Sequence, residues 1–338
     1  MADLPVVSVI VPVHNAAAYL GRCLDSIATQ TLGGIETVLV DDGSTDGSTA
    51  LCEAFAARRA HAVVVRHDRA RGVSAARNAG VAASSGRYIG FVDSDDWAAP
   101  TLFETLVRAA ESTESDVAQV QYLMCSKPQA IENGPETIQV LSPDEALAAM
   151  LLKEEYAVWN RLYRRSLFDG CAPDCFPEGL TCEDRVGNFK LLAKANRVAV
   201  SSRTEYFYYQ NLGSISFNGL DSRGFDLLEA DRLMVESARG LGNEKVLGLA
   251  QDRAAKSSFS LLVKWVRFGV TDPSLDERAA LDRLFGDFKE NYRRLMKSPL
   301  SCAKKVAAWQ LMHCPSLLKL EFGMLNRMKG IDQRGAGS

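Results

Sequence analysis

Residues 91–97, FVDSDDW, end an apolar run in acid, with Asp93 and Asp95 two positions apart. If a strand runs through them, both side chains leave the same face, and paired hard carboxylate oxygens there suit Mg2+ or Mn2+. A second acidic stretch, DDGSTD over 41–46, follows another apolar run. Its glycine and serines resemble a loop that cradles phosphate through backbone N–H groups, yet Asp41, Asp42 and Asp46 would repel a phosphate seated directly on them. A metal at Asp93 and Asp95 resolves the conflict, because such ions complete their shell with water and substrate phosphates. The phosphate then belongs with the later cluster. A third acidic pair, Glu183 and Asp184 in TCEDRVG, reads first as the acidic opening turn of a helix, where the dipole favours negative charge, with proton acceptance as the alternative.

These residues need strands that stop where they begin. VVSVIVPV, ETVLVDD, AVVVRH and RYIGFVDSDD are β-branched or continuously apolar, as strands covered on both faces are. Between them AAYLGRCLDSIATQ, STALCEAFAARRA and VSAARNAGVAAS carry helical spacing. The alternation predicts an α/β fold, a mostly parallel sheet flanked by helices, with ligands outside the carboxyl ends of the strands. PVHN, DDGSTD and DSDD stand at those ends. APTLFETLVRAAES reads as a further helix and DVAQVQYLMC as a strand, after which SKPQAIENGPETIQVLS breaks the pattern. Ser142 and Glu145 form a capping box for SPDEALAAMLLKE, CEDRVGNFKLLAKA reads as an acidic-headed helix, and TEYFYYQNLGSIS as an aromatic strand. From about Asp221 the periodicity is helical. The expected organisation is a nucleotide-binding half over 1–125, an acceptor or catalytic half over 126–220, a helical region over 221–330 and a tail over 331–338.

With 338 residues, 47% apolar and 24% charged, the composition is that of an ordinary soluble enzyme. A formal charge of −3 argues against a dedicated nucleic-acid binder. No apolar run approaches the roughly 20 residues that span a bilayer, and the N-terminus lacks a basic segment before its apolar stretch. The eight cysteines include no CxxC pair, which reads as reduced thiols in a cytoplasmic protein. Residues 293–330 hold eight Lys or Arg and one Glu among Trp309, Leu317, Leu318, Phe322, Leu325 and Met328. Helices of that composition either lie on an anionic membrane surface or pack their apolar stripe on the body of the protein.

VSVIVPVHNAAAYLGRCLDSIATQT, VLVDDGSTDGS, GVSAARNAG and FVDSDD resemble the successive motifs of the family 2 glycosyltransferases, which have the GT-A fold. The similarity is most specific over about the first 100 residues and continues through VWNRLYRRSLF, EDRVGNFKLL and YFYYQNLGSIS to about residue 216. It implies an inverting transfer of a hexosyl or N-acetylhexosaminyl group from a UDP-sugar, with Mn2+ or Mg2+. The acceptor would be a hydroxyl of a glycan or lipid-linked saccharide in bacterial cell-envelope or extracellular polysaccharide synthesis. By motif position, the resemblance puts Pro12, Val13 and Asn15 in the nucleoside pocket and gives Asp42 the hydrogen bond from uracil N3–H. A carboxylate suits that contact, since it only accepts, and cytosine offers no donor there. Arg77 would meet the diphosphate, Asp93 and Ser94 the ribose, and Asp95 with Asp93 the metal, while Asp184, beside Glu183, would be the base.

Weaker candidates are Trp159, for stacking on a sugar or packing within a helix, Arg161 and Arg164 for the diphosphate or an anionic acceptor, and Asn211, Gly213 and Ser214 near the donor. His14 stands where the family often has tyrosine. A nucleotidyltransferase is the first alternative, but it would need a glycine-rich basic loop where PVHNAAAY stands. A non-catalytic glycan-binding protein on the same fold is the other, and the complete DxD and ED pairs weigh against it.

Overall fold

The computed structural model describes residues 4–171, 174–210 and 219–328. They fall into two compact units, Met1–Gly213 and Ser214–Ser338. The first unit begins β1 (Val7–Val13), α1 (Ala17–Ala28), β2 (Ile35–Asp42), α2 (Ser48–Ala56), β3 (Ala62–His67), α3 (Val73–Ala83) and β4 (Tyr88–Phe91). It continues β5 (Trp97–Ala98), α4 (Leu102–Ser112), β6 (Val117–Cys125), β7 (Ile138–Leu141), α5 (Pro143–Lys153), β8 (Arg161–Arg164), α6 (Glu183–Lys194) and β9 (Val198–Tyr209).

One mixed sheet runs in the order β3-β2-β1-β4-β8-β6-β9-β5, with β7 on β9. The four strands β3, β2, β1 and β4 are parallel, as the alternating sequence predicts. β8 then enters antiparallel to both β4 and β6, so that β6 and its parallel partner β9 run in the same direction as the first four strands. Every residue of β1 is buried, and α1 covers it with Leu20, Cys23, Leu24 and Ile27, the positions its spacing selects. Glu36 is buried in β2, where it accepts hydrogen bonds from the Ser8 hydroxyl and from the backbone N–H and hydroxyl of Ser85 (2.7 Å each). Burial works to raise its pKa, but these hydrogen bonds outweigh it and hold the carboxyl below its ordinary value.

Three expectations change. β4 stops at Phe91, so Asp93 and Asp95 stand in the turn after the strand rather than on its last residues. VWNRLYRRSLF is a turn, then β8, then the 3-10 turn Arg165–Phe168, with no α-helix. The two-residue β5 and the half-exposed β7 lie in stretches that carry no strand signal. The capping box at Ser142 and Glu145 is present, with each residue bonding the other's backbone N–H.

The second unit holds α7 (Arg223–Gly240), α8 (Glu244–Phe268), α9 (Glu277–Lys297), α10 (Cys302–His313) and α11 (Pro315–Met328). Leu262, Leu284, Phe288, Leu295 and Leu311 form its core. Among the described residues no helix is long and apolar enough to cross a membrane.

Candidate active site

At the carboxyl ends of β1, β2 and β4 the first unit opens a cleft of about 800 Å3, a size that admits a nucleotide-sized ligand. One wall carries Pro12, Val13, His14, Asp42, Ala70 and Gly72, and the floor carries Arg77, Asp93, Ser94 and Asp95. Glu183 and Asp184, at the head of α6, line the same cleft. The three acidic motifs therefore converge, although they span more than 140 positions of sequence.

The DDGSTD turn is built largely by its own acids. Asp41 accepts from the Ser44 N–H (3.1 Å) and the Thr49 hydroxyl (2.5 Å), and Asp46 accepts from the N–H groups of Ala17 (2.9 Å) and Ser48 (3.0 Å). Gly43 has φ +67°, and a Cβ there would lie 2.6 Å from the backbone nitrogen of Ala70, so the turn admits no side chain at that point. Asp42 is not a free carboxylate. It accepts from His67 Nδ1 (2.6 Å), from Arg71 N–H (2.9 and 3.0 Å) and from Gly72 N–H (2.7 Å). A carboxylate has about four acceptor positions, so these donors leave room for one more.

Asn15 departs from its expected place. It lies outside the cleft lining, in the left-handed region at φ +49°, and its side-chain oxygen accepts from Thr45 N–H (2.8 Å). Asn15 thus joins the end of β1 to the acidic turn. His14 lines the cleft instead, with Nδ1 2.8 Å from the Asp42 carbonyl oxygen.

Arg77 also departs from expectation. Its guanidinium is buried, bonded to Asp93 (3.0 Å) and to Glu183, which ties the DSDD turn to the head of α6. Both terminal nitrogens are committed to carboxylates, so Arg77 is not a spare cation awaiting phosphate. Burial disfavours its charge, but Asp93 and Glu183 outweigh that and push its pKa above the ordinary arginine value. Asn78, beside it on α3, exchanges two hydrogen bonds with the backbone of Phe176 (2.8 and 3.1 Å) and so holds the loop that precedes α6.

Burial pushes the carboxyls of Asp95, Glu183 and Asp184 above their ordinary range, and the charge of Asp93 adds to the rise at Asp95. A divalent cation between Asp93 and Asp95 would relieve that repulsion, and both side chains face the cleft. Two carboxylates are what Mg2+ or Mn2+ commonly takes from a protein that shares the ion with a phosphate. Among the described residues no cluster of three or more His, Cys, Asp or Glu forms a closed metal site. Asp96 is structural: fully buried, it accepts from Tyr206 OH (2.7 Å) and Tyr209 N–H (2.8 Å), and burial followed by the charge of Asp93 pushes it up to about 8.

The weaker candidates divide. Trp159 lines the cleft, but its ring stacks on Tyr206 (4.3 Å between centroids) and Tyr208 (5.5 Å), with Tyr122 edge-on at 4.8 Å. Arg161 is buried, bonds Gln119 (3.1 Å) and the carbonyls of Ala157 and Glu155, and lies outside the cleft lining. Arg164 pairs with Asp116 (2.8 Å) and lies outside the cleft lining. Asn211, Gly213 and Ser214 lie outside the described residues. Sequence reasoning missed Tyr122, Met124, Tyr208 and Asn160, all of which line the cleft. The pairing of β6 with β9 brings the first three together, and no local motif marks it.

A mixed sheet of this order, with an acidic turn after its fourth strand and a helical C-terminal region, defines the GT-A class of glycosyltransferase fold. Residues 8–172 match the family model described as Glycosyl transferase family 2. Over 220 residues the chain is 34% identical to the Bacillus subtilis protein named Uncharacterized glycosyltransferase EpsJ, covering 63% of each. Over 222 residues it is 31% identical to Uncharacterized glycosyltransferase YibD of Escherichia coli, covering 62% of each. The chain therefore spans less than two thirds of the length of these relatives. Among solved structures it superposes on S. aureus TarS 1-349, described in complex with UDP, with a TM-score of 0.67 at 20% identity, covering 96% of this chain and 91% of that one. At that identity the likeness is one of fold.

Proposed function

We propose that the cleft transfers a sugar from a UDP-sugar to a hydroxyl of a glycan or lipid-linked saccharide, with inversion, in cell-envelope or extracellular polysaccharide synthesis. One observation carries this reading: the DSDD turn and the Glu183–Asp184 pair face one cleft and are locked in register by Arg77. The family match over residues 8–172 supports it, as does the TarS fold, described with UDP and with UDP-GlcNAc.

Pro12, Val13 and His14 supply the nucleoside wall, and the acceptor position left on Asp42 takes the uracil N3–H. With Arg77 committed, the diphosphate meets the N-terminus of α3, where Gly72 and Val73 line the cleft and the helix dipole favours negative charge. Asp95 and Asp93 would hold Mn2+ or Mg2+, which offsets the charge that grows on the departing diphosphate. Asp184 takes the acceptor hydroxyl proton as that oxygen bonds C1, while the bond from C1 to the phosphate oxygen breaks on the opposite face. Glu183 cannot serve equally, since it is occupied by Arg77. Asp184 accepts from the backbone N–H of Arg185 (2.8 Å) and lines the cleft. The test is calorimetry with UDP and Mn2+ beside a transfer assay over a set of UDP-sugars. Asp184→Asn should bind UDP and fail to transfer, and Asp95→Ala should lose the metal-dependent part of UDP binding. A wild type that binds no uridine nucleotide would sink the reading, and native transfer by Asp184→Asn would remove the base assignment.

A peripheral membrane contact is part of the proposal. Helices α10 and α11 expose Val306, Trp309, Leu317, Leu320 and Met324, interleaved in sequence with Lys304, Lys305 and Lys319. Such a face suits an anionic membrane and an acceptor on a lipid carrier. The chain should sediment with phosphatidylglycerol vesicles and not with phosphatidylcholine ones, and Trp309→Ser with Leu320→Ser should abolish this. Equal sedimentation of wild type and double variant would exclude the contact.

A further inference from the structure

Asn160, on the turn that leads into β8, is 2% exposed and lines the cleft. Val120 of β6 grips it twice: the Val120 N–H donates to the Asn160 carbonyl (3.0 Å), and Asn160 Nδ2 donates to the Val120 carbonyl (2.9 Å). The second bond fixes the orientation of the amide, since a flip would set Oδ1 against a carbonyl oxygen. Oδ1 is then left without a hydrogen-bond partner. Two other buried asparagines of the site behave differently. Asn78 and Asn188 use both ends of the amide within the protein, whereas Asn160 uses only the nitrogen. A buried acceptor in that state calls for a donor from outside the chain.

The surroundings of Asn160 tie it to both sides of the proposed reacting centre. Asn188, one helical turn after Asp184 on α6, donates through Nδ2 to the carbonyls of Tyr156 and Ala157 (3.2 Å each) and accepts at Oδ1 from the Tyr163 hydroxyl (3.0 Å). The segment that delivers Asn160 is thereby fastened to the helix that carries Asp184. Arg161 reinforces it by donating to the carbonyls of Ala157 and Glu155. On the other side Trp159 stacks on Tyr206 (4.3 Å between centroids), whose hydroxyl oxygen accepts from the Asp93 N–H (3.1 Å). Short chains of contacts therefore hold Asn160 in register with Asp184 and with the DSDD turn, and all of these acids line the same cleft.

We infer that Asn160 Oδ1 accepts a hydrogen bond from a hydroxyl or acetamido N–H of the saccharide bound between Asp184 and the DSDD turn, and so reads which sugar the cleft takes. The inference rests on the reading of the cleft as a glycosyl-transfer site and adds a residue that sets sugar specificity. An amide oxygen only accepts, so the group opposite it must donate. A hydrogen or a fluorine in place of the hydroxyl fails equally, and an epimer that turns the hydroxyl away fails with them. The transferred sugar of the donor and the acceptor saccharide offer the same chemistry, and the experiment separates them.

The full chain is titrated in Mg2+ by calorimetry with UDP and with UDP-glucose, UDP-galactose, UDP-N-acetylglucosamine and UDP-N-acetylgalactosamine. Saturation-transfer NMR with the methyl β-glycosides of the same sugars, in UDP and Mg2+, covers the acceptor. Asn160→Ala should leave UDP affinity within about twofold and weaken at least one UDP-sugar or one glycoside by roughly tenfold. Loss among the UDP-sugars names the transferred sugar as the partner, and loss among the glycosides names the acceptor. On the unaltered chain, the deoxy and deoxyfluoro forms of that sugar at one position should both show the same loss, and Asn160→Ala should no longer distinguish them from the parent sugar. A fluoro form that binds like the hydroxyl at every position overturns the proposal. So does an Asn160→Ala variant whose UDP-sugar affinities and glycoside signals, present or absent, match those of the wild type. Retained UDP binding with unaltered sugar binding rejects the role of Asn160 alone, whereas absent UDP binding by the wild type rejects the transferase reading and the inference with it. Thermal unfolding shows whether the variant folds; if it does not, the deoxy and fluoro series on the unaltered chain decides, with matched loss at one position supporting the proposal and no such loss overturning it.

Discussion

Replacing Arg77 by methionine tests how the cleft is held together. The guanidinium joins Asp93 and Glu183, whose side chains are 25% and 6% exposed. Methionine fills much of the volume but leaves two carboxylates without their partner in a site that already disfavours charge. Removing one member of a buried ion pair typically costs about 3–5 kcal/mol, most of it the penalty on the charge left behind. For a unit of roughly two hundred residues, each kcal/mol lowers Tm by about 2–4 °C, so the first unit should melt roughly 6–20 °C lower. Scanning calorimetry of the full chain, fitted with separate transitions for the two units, reads this directly. Adding Glu183→Gln should restore part of the loss, since it removes one unpaired charge, and the departure from additivity measures the coupling. A Tm within about 1 °C of wild type together with weakened UDP binding would refute the reasoning, because that is how an exposed phosphate ligand behaves.

Two other outcomes follow from the titrating groups. Burial raises the pKa of Asp184 while Arg77 lowers it, so the acid limb of kcat should lie above the ordinary aspartate value of about 3.9, with rate falling as pH falls through it; Arg77→Met should move that limb upward, and a limb that ignores the substitution would separate Asp184 from the reaction. Glu36 has a depressed pKa, so its contribution to stability is present above the unfolded value near 4.3 and is lost as pH falls through the lower folded value. Glu36→Gln should cost about 1–3 kcal/mol at pH 7 and show a shallower loss on acidification in urea unfolding; an unchanged acid slope would mean the Ser8 and Ser85 bonds do not favour the charged form.

The parallel half of the sheet was legible because each strand and helix there declares itself within about a dozen residues. The apolar run of β1 and the Leu20, Cys23, Leu24 and Ile27 stripe of α1 are local patterns, and both lie where expected. Position along a motif also sufficed to bring Asp93, Asp95, Glu183 and Asp184 to one cleft. Partnership did not show. Arg77, Arg161 and Arg164 read as spare cations, yet each is committed to acceptors that tertiary folding brings in, Glu183 from 106 positions away in the first case. Asn15 and Asp42 likewise bond to the turns behind the cleft, and a sequence carries no mark of which side of a loop a side chain takes. The short β5 and β7 exist because β9 offers them an edge, a property of the neighbour and not of their own residues.

The antiparallel strand β8, seated between β4 and β6, separates the cleft residues supplied early in the chain from those supplied late. Under the proposed reading, everything that recognises the donor nucleotide comes from the first 95 residues, whereas Tyr122, Asn160, Asp184 and Tyr208 come from the segments after β5. Sugar preference can then drift by substitution in β6, β9 and the segment between α5 and β8 without disturbing nucleotide recognition. The Arg77 bridge, the pairing of β4 with β8, the Asn78–Phe176 bonds and the Tyr206 bonds to Asp93 and Asp96 must survive such exchange. A chimera joined at that seam would keep its nucleotide and inherit a new sugar preference, which is how one scaffold could serve the many different linkages of a polysaccharide.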